Sequence, residues 1–206
     1  MPDLAVLAGF FLTSVAIELT PGPNMAYLAL VGVTRGRADG MMAVLGVAVG
    51  LALLGAIVGV GVGTLIVENR LIYETLRWAG AAYLVWLAWD GWREAQRETD
   101  HGALPTRKLV YFRRGFITNL LNPKAALFFI TVMPGFIAPT EPVGAQTTAL
   151  VALYVFAATA IHAVIVLLAS TLTPLFSRPN LRKTAALFFA VTLCGVAIWL
   201  LIKTAS

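Results

Sequence analysis

Residues 20–24 read Thr-Pro-Gly-Pro-Asn and interrupt a long apolar segment near the start of the chain. Each proline removes a backbone donor and clashes with the carbonyl four residues earlier, which costs about 3 kcal/mol inside a helix. Two prolines around a glycine therefore predict an unwound turn. Its free carbonyls and NH groups can bind an ion or a zwitterion, and a helix start favours a carboxylate. The alternative is a packing kink, because proline and glycine are common in transmembrane helices.

A second apolar segment is interrupted at residues 119–124, which read Asn-Leu-Leu-Asn-Pro-Lys. Unpaired backbone polar groups are costly in lipid, so irregular backbone at membrane depth survives only inside protein or beside water. A pair of Gly/Pro-broken segments at matching places in two halves is the best sequence indication of a transporter's binding site. The two breaks together therefore predict such a site.

The composition is that of an integral membrane protein. The chain has 206 residues, of which 59% are hydrophobic and 12% charged, whereas a soluble domain is about one quarter charged. Several charge-free stretches exceed the roughly 18–20 residues that cross a bilayer. The first apolar run is too long for a signal peptide, and we interpret it as a retained span. The net charge of +5 does not indicate nucleic acid binding, because the basic residues form no exposed face.

Six spans can be drawn, and their uninterrupted apolar runs exclude the alternating strands of a membrane barrel. They are roughly Leu4–Val33, Gly40–Val67, Leu71–Trp92, Gly115–Ile137, Val143–Leu175 and Thr184–Ile202. The long connector, a cytoplasmic loop at about 93–113, separates repeat 1 (about 1–95) from repeat 2 (about 111–206). Three spans per half place the halves in opposite orientations. We therefore predict one all-α membrane domain over 1–206, with six transmembrane helices as two three-helix inverted repeats and a broken first helix in each half.

The loop charges predict the orientation. Eleven Lys and Arg residues lie in the odd-numbered loops, against three on the opposite side. Because positive charge marks the cytoplasm, we expect the odd loops inside and both termini outside.

Three ionisable side chains lie inside the predicted spans: Glu18, Lys124 and His162. A lysine at the bilayer centre costs at least roughly 2.5–3.5 kcal/mol, so Lys124 is expected to hold a substrate carboxylate or pair with an acid, unless it snorkels. Glu18 is a candidate to bind a substrate amine, to carry a proton or to pair with Lys124. His162 has an unperturbed pKa near neutrality, and either relays protons or bonds a neighbouring helix. Glu18 and His162 are our proton-coupling candidates.

Other features favour transport over chemistry. Glycines at GxxxG spacing in the second span indicate close packing within one protomer or between two, so a homodimer stays open. A lone cysteine, Cys194, cannot form an intrachain disulfide, and soft-metal export would need more thiolates. We expect no metal and no cofactor. An intramembrane enzyme would need a serine or other nucleophile beside a base, for which no convincing motif is present. A passive channel stays open.

The break residues also resemble the LysE/RhtB family of amino acid exporters. The resemblance is carried by residues 20–24, 35–37, 61–63, 78–84 and 112–124. It implies that the substrate-binding motif consists of Pro21, Gly22, Pro23, Asn24, Asn119, Asn122, Pro123 and Lys124. It further implies proton- or potential-driven export of threonine- or homoserine-like zwitterions through the bacterial inner membrane by alternating access. The chain departs from some relatives, which carry an acid in the fifth span near the position of His162.

Overall fold

The computed structural model describes residues 3–61, 70–96, 105–138, 140–175 and 179–203, and its regular elements within these ranges are all helical. The α-helices are α1 (Leu4–Leu19), α2 (Pro23–Arg35), α3 (Arg37–Gly59), α4 (Arg70–Gln96), α5 (Pro105–Leu120), α6 (Pro123–Leu127), α7 (Val143–Ser170) and α8 (Pro179–Lys203). A π-helical turn at Phe128–Val132 and a 3₁₀ turn at Met133–Phe136 follow α6.

Two of these helices, α3 and α7, are each long and apolar enough to cross a membrane. Two bent pairs pass the same test as units: α1 with α2, at an angle of 63°, and residues 108–120 with 124–136, at 51°. The described chain is therefore an all-helical membrane protein with two to four candidate spans. Both bent pairs coincide with the breaks that the sequence predicts.

The first break follows from its prolines. Helix α1 starts at Asp3, whose side chain accepts a hydrogen bond from the NH of Leu4 at 2.7 Å. It ends at Leu19, and Thr20 is extended with φ −68° and ψ 124°. Pro23 then opens α2, because the first helical position is the one where a missing NH costs nothing.

Two helix boundaries differ from the predicted spans. Helix α3 ends at Gly59, short of Val67, and Gly61 takes a left-handed φ of +86° that glycine adopts without strain. The rest of that predicted span, residues 62–67, lies outside the described residues. Helices α4 and α5 both reach into the predicted loop at 93–113, since α4 continues to Gln96 and α5 already begins at Pro105. Proline is favoured at a helix start.

Glycines of α3 pack against helices of the same chain. A Cβ at Gly46 would collide with the carbonyl group of Phe112 on α5. Conversely, a Cβ at Gly115 on α5 would collide with the carbonyl group of Ala43 on α3. The two backbones therefore touch with no side chain between them, as small residues allow. This close packing lies within one protomer, and the homodimer stays a prediction.

The helices enclose a core that also contains polar groups. Helix α7 packs against α1, α2 and α3, while α3 also packs along α5, and α4 along α8. The buried polar side chains include Ser14, Glu18, Asn24, Thr118, Asn119, Asn122, Gln146, Thr147 and His162. More than half of them belong to the two breaks or to their immediate neighbours, and this places the candidate site.

Candidate functional site

The two breaks lie against each other. In the second break, the ammonium Nζ of Lys124 donates a hydrogen bond to the backbone carbonyl of Thr20 in the first break, at 2.8 Å. The same side chain passes Gly22, where a Cβ would lie 3.5 Å from Cδ of Lys124. Residues 104 positions apart in sequence are thus in direct contact.

The carbonyl of Thr20 can accept this bond because α1 stops there. The last carbonyls of a helix have no partner within the helix, and the extended backbone at Thr20 prevents α1 from continuing. The negative end of a helix dipole also favours a cation. Lys124 therefore caps the broken end of α1.

A buried pair of amides joins the two breaks a second time. Nδ2 of Asn24 donates to Oδ1 of Asn119 at 2.9 Å, and both side chains are buried. Oδ1 of Asn24 and Nδ2 of Asn119 have no hydrogen-bond partner in the part of the chain that the structure describes. One acceptor and one donor of the pair are therefore unused.

Asn122 has a local structural task. It is the N-cap of α6, and its side chain accepts a hydrogen bond from the NH of Lys124 at 3.1 Å. Pro123 is the first residue of α6, but its side chain lies outside the described residues. In the first break, Pro21 is exposed, whereas Gly22 and its two successors are buried.

Glu18 is the carboxylate of the site and is only 5% exposed. Its Oε1 accepts a hydrogen bond from the hydroxyl of Tyr154. Its Oε2 lies 3.2 Å from Nε2 of His162, which is fully buried. Each carboxylate oxygen thus has its own partner on α7, and the structure brings together the two proton-coupling candidates that the sequence predicts.

Glu18 and Lys124 form no direct ion pair among the described residues. Lys124 is bonded to the carbonyl of Thr20, and Glu18 to Tyr154 and His162. The charges of Glu18 and Lys124 still interact through space. The direct pairing that the sequence left open is therefore absent, and the two charges are held apart by separate partners.

Tyr154 is the site residue that sequence reasoning missed. It lies eight residues before His162 on α7, about two helical turns away and on the same face. The signal that could have identified it is this spacing from an intramembrane histidine. Tyrosine in an apolar helix is otherwise ordinary, since its ring is hydrophobic and its hydroxyl needs only one partner.

The arrangement supplies complementary groups for a zwitterion. The ammonium of Lys124 suits a carboxylate, while the carboxylate of Glu18 and the free carbonyls of the first break suit an amine. An imidazole beside a carboxylate can exchange protons near neutral pH. In the described ranges, no three His, Cys, Asp or Glu side chains come together as a metal site.

Known proteins match this chain over most of its length. A family model described as LysE type translocator matches residues 15–204. The homoserine/homoserine lactone efflux protein of Salmonella typhimurium is 36% identical over 138 residues, which are 66% of this chain and 67% of that protein. An uncharacterized membrane protein of Vibrio cholerae is 31% identical over 172 residues, 78% and 82% of the two chains.

A leucine efflux protein of Klebsiella pneumoniae is 31% identical over 132 residues, which are 62% of this chain and 61% of that protein. No solved structure matches the chain.

Proposed function

Because this chain belongs to the family of LysE-type translocators, we propose that it exports small amino acids or close derivatives across the bacterial inner membrane. The family match confirms the resemblance carried by the break residues, and it makes the chain a transporter rather than an enzyme. Relatives are named for efflux of homoserine and its lactone and for efflux of leucine. The proposed substrates are zwitterions of this size, of the threonine, homoserine or leucine type.

The observation that carries this proposal is the contact between the two breaks. The hydrogen bond from Lys124 to the carbonyl of Thr20 joins them, and the buried carboxylate of Glu18 lies one turn before the first break. Irregular backbone and ionisable groups inside a membrane protein mark substrate pathways. We assign substrate binding to the predicted motif residues, with the substrate carboxylate near Lys124 and its amine near Glu18.

The proposed architecture is six spans in two inverted repeats of three. Helix packing supports this symmetry, since exchange of the repeats turns the contact of α3 with α5 into the contact of α7 with α1 and α2, and both occur. The contacts of α3 with α7 and of α4 with α8 exchange with themselves, and both also occur. Alternating access then follows from movement of one repeat against the other.

The proposed orientation places both termini outside and the basic odd-numbered loops in the cytoplasm. The support is the strong excess of Lys and Arg in those loops. The substrate would then leave the cytoplasm through the face that carries the loop at about 93–113.

Proton coupling is the proposed source of energy. The support is the contact of Glu18 with His162, because the imidazole is a group that titrates near neutral pH. Protonation of this pair would alternate with occupation of the carboxylate by the substrate amine.

The test is transport by the purified protein in liposomes. Vesicles are loaded with a mixture of amino acids that includes homoserine, threonine and leucine, with homoserine lactone added separately. A pH gradient or a potassium diffusion potential is then imposed. We expect movement of one or a few zwitterions against their own concentration gradient, with protein-free liposomes as the control.

Two outcomes would contradict the proposal. If no amino acid or derivative moved under any gradient, the exporter function would be wrong. If solutes only ran down their gradients, a passive channel would replace the transporter.

A further inference from the structure

Tyr154 contacts both broken segments at once. Its hydroxyl donates to Glu18 on α1, just before the first break. Its ring stacks on that of Phe128 after the second break, with centroids 4.3 Å apart and planes at 19°. The ring of Phe129 meets it edge-on at 4.9 Å and 67°. One fully buried side chain therefore links the site carboxylate to the backbone that follows the second break.

That backbone has an unusual conformation. Phe128–Val132 forms a π-helical turn, and Met133–Phe136 continues it as a 3₁₀ turn. A π turn is wider than an α-helix, a 3₁₀ turn is tighter, and both occur often at functional sites or hinges. The segment 128–136 therefore combines two departures from α geometry in succession, and it carries both rings that contact Tyr154.

The hydroxyl of Tyr154 is not needed for packing. A phenylalanine would fill the same space between the two rings, and it would avoid placing a polar group in an apolar core. The hydroxyl contributes only through its bond to Glu18. The other groups that face Glu18 are His162, on the second carboxylate oxygen, and the charge of Lys124.

We propose that Tyr154 is a positioning residue that transmits the state of Glu18 to the segment 128–136. When an amine or a proton reaches Glu18, the bond from Tyr154 changes, and the stacked rings carry that change to the π-helical turn. This inference rests on the proposed function, because it gives the second broken helix a cause for movement during transport.

The transport test compares Tyr154→Phe with a matched control, Tyr111→Phe. Tyr111 is also a buried tyrosine, but it lies on α5 and its ring contacts Arg114. We expect Y154F to lower the maximal efflux rate about tenfold, the usual scale for a lost hydrogen bond to a charged group, with KM changed less than about twofold. Y111F should keep both values. An unchanged maximal rate in Y154F would overturn the proposal.

A second measurement is independent of transport. The carboxylate stretch of Glu18 in the infrared spectrum is assigned by its loss in Glu18→Gln. We expect this band to shift in Y154F and to stay in place in Y111F. An unshifted band in Y154F would overturn the inference even for a protein that moves no amino acid. If wild type moves nothing but the band shifts, the proposed function fails and the contact stands.

Phe128→Leu tests the other half of the link, and it replaces Y154F if that variant does not fold. It removes the stacked ring but leaves the hydroxyl bonded to Glu18. We expect a lower maximal rate, faster amide hydrogen exchange across 128–136 and an unmoved Glu18 band. Wild-type rate and exchange in F128L would show that the rings transmit nothing.

Discussion

The first break, residues 20–24, and the second, residues 119–124, interrupt similar apolar helices but expose different groups. After the first break, α2 starts without a side-chain cap, and the break presents the backbone carbonyl of Thr20. After the second, Asn122 caps α6, and the break presents the ammonium of Lys124. One break therefore supplies an acceptor and the other a donor, which gives the site a direction despite the proposed symmetry.

The helices that follow the breaks differ as well. Helix α2 continues for 13 residues, whereas α6 has only 5 before the π-helical turn. A short helix that runs into irregular turns has few backbone bonds to resist a change of shape. The comparison thus indicates a rigid first break and a deformable second one.

The largest effect should come from removing the donor of the second break. Lys124→Ala deletes the bond to Thr20 and the charge that faces the substrate carboxylate. We expect the initial efflux rate in proteoliposomes to fall about a hundredfold, since bonds to charged groups are the strong ones. Lys124→Arg, which keeps a cationic donor, should retain at least about a tenth of the rate. More than half of the wild-type rate in K124A would remove the lysine from the site.

The next largest effect concerns the charge beside the first break. Glu18→Gln keeps the size of the side chain and an acceptor for Tyr154 but removes the negative charge. We expect efflux to fall about thirtyfold and its pH dependence to flatten. His162→Ala should flatten the pH dependence too, because it removes the titrating partner. If E18Q and H162A both kept the wild-type pH profile, proton coupling through this pair would be wrong.

A smaller effect should report the direct bond between the breaks. Asn24→Ala and Asn119→Ala each lose the same amide–amide bond, so the double variant should be destabilised by about 1 kcal/mol less than the sum of the single variants. Thermal unfolding of the purified protein in detergent measures this coupling. Strict additivity would mean that the two amides do not depend on each other.

The smallest effect should distinguish the capped break from the uncapped one. Asn122→Ala removes the cap of α6 and should cost about 1 kcal/mol, which lowers the melting temperature by about 2–4 °C for a chain of this size. Asn122→Asp keeps an acceptor and should restore most of the loss. Gly22→Ala, at the start of α2, removes no cap and should leave the melting temperature nearer to wild type. Equal losses at both positions would erase this difference.

The sequence located both breaks and the buried charges because lipid penalises such groups wherever they occur. Pro23 and Pro123 each open a helix, and Glu18 meets His162, as those costs predict. What these costs could not predict is which partner each charge has. Lys124 bonds a backbone carbonyl instead of an acid, and a carbonyl leaves no mark in composition.

Partners far apart in sequence explain the other omissions. Tyr154 reaches Glu18 across 136 positions, and its own helix gives no local sign of that contact. Arg114, which the charge pattern assigns to a loop, lies on α5 and pairs with Asp90 at 2.5 Å. Its guanidinium also lies 5.7 Å from the ring of Trp86. An arginine with its own acid and aromatic partners can extend a helix beyond the apolar span that hydropathy detects.

The meeting of Gly46 and Gly115 has a mechanical consequence. Where two backbones touch without a side chain between them, neither helix can slide along the other without a clash, because close-packed interiors leave no slack. The helices can still turn about the point of contact. The crossing of α3 and α5 joins the first half of the chain to the second, so it has the properties of a fulcrum. Motion of the halves would then be largest at the two membrane faces and smallest at this point.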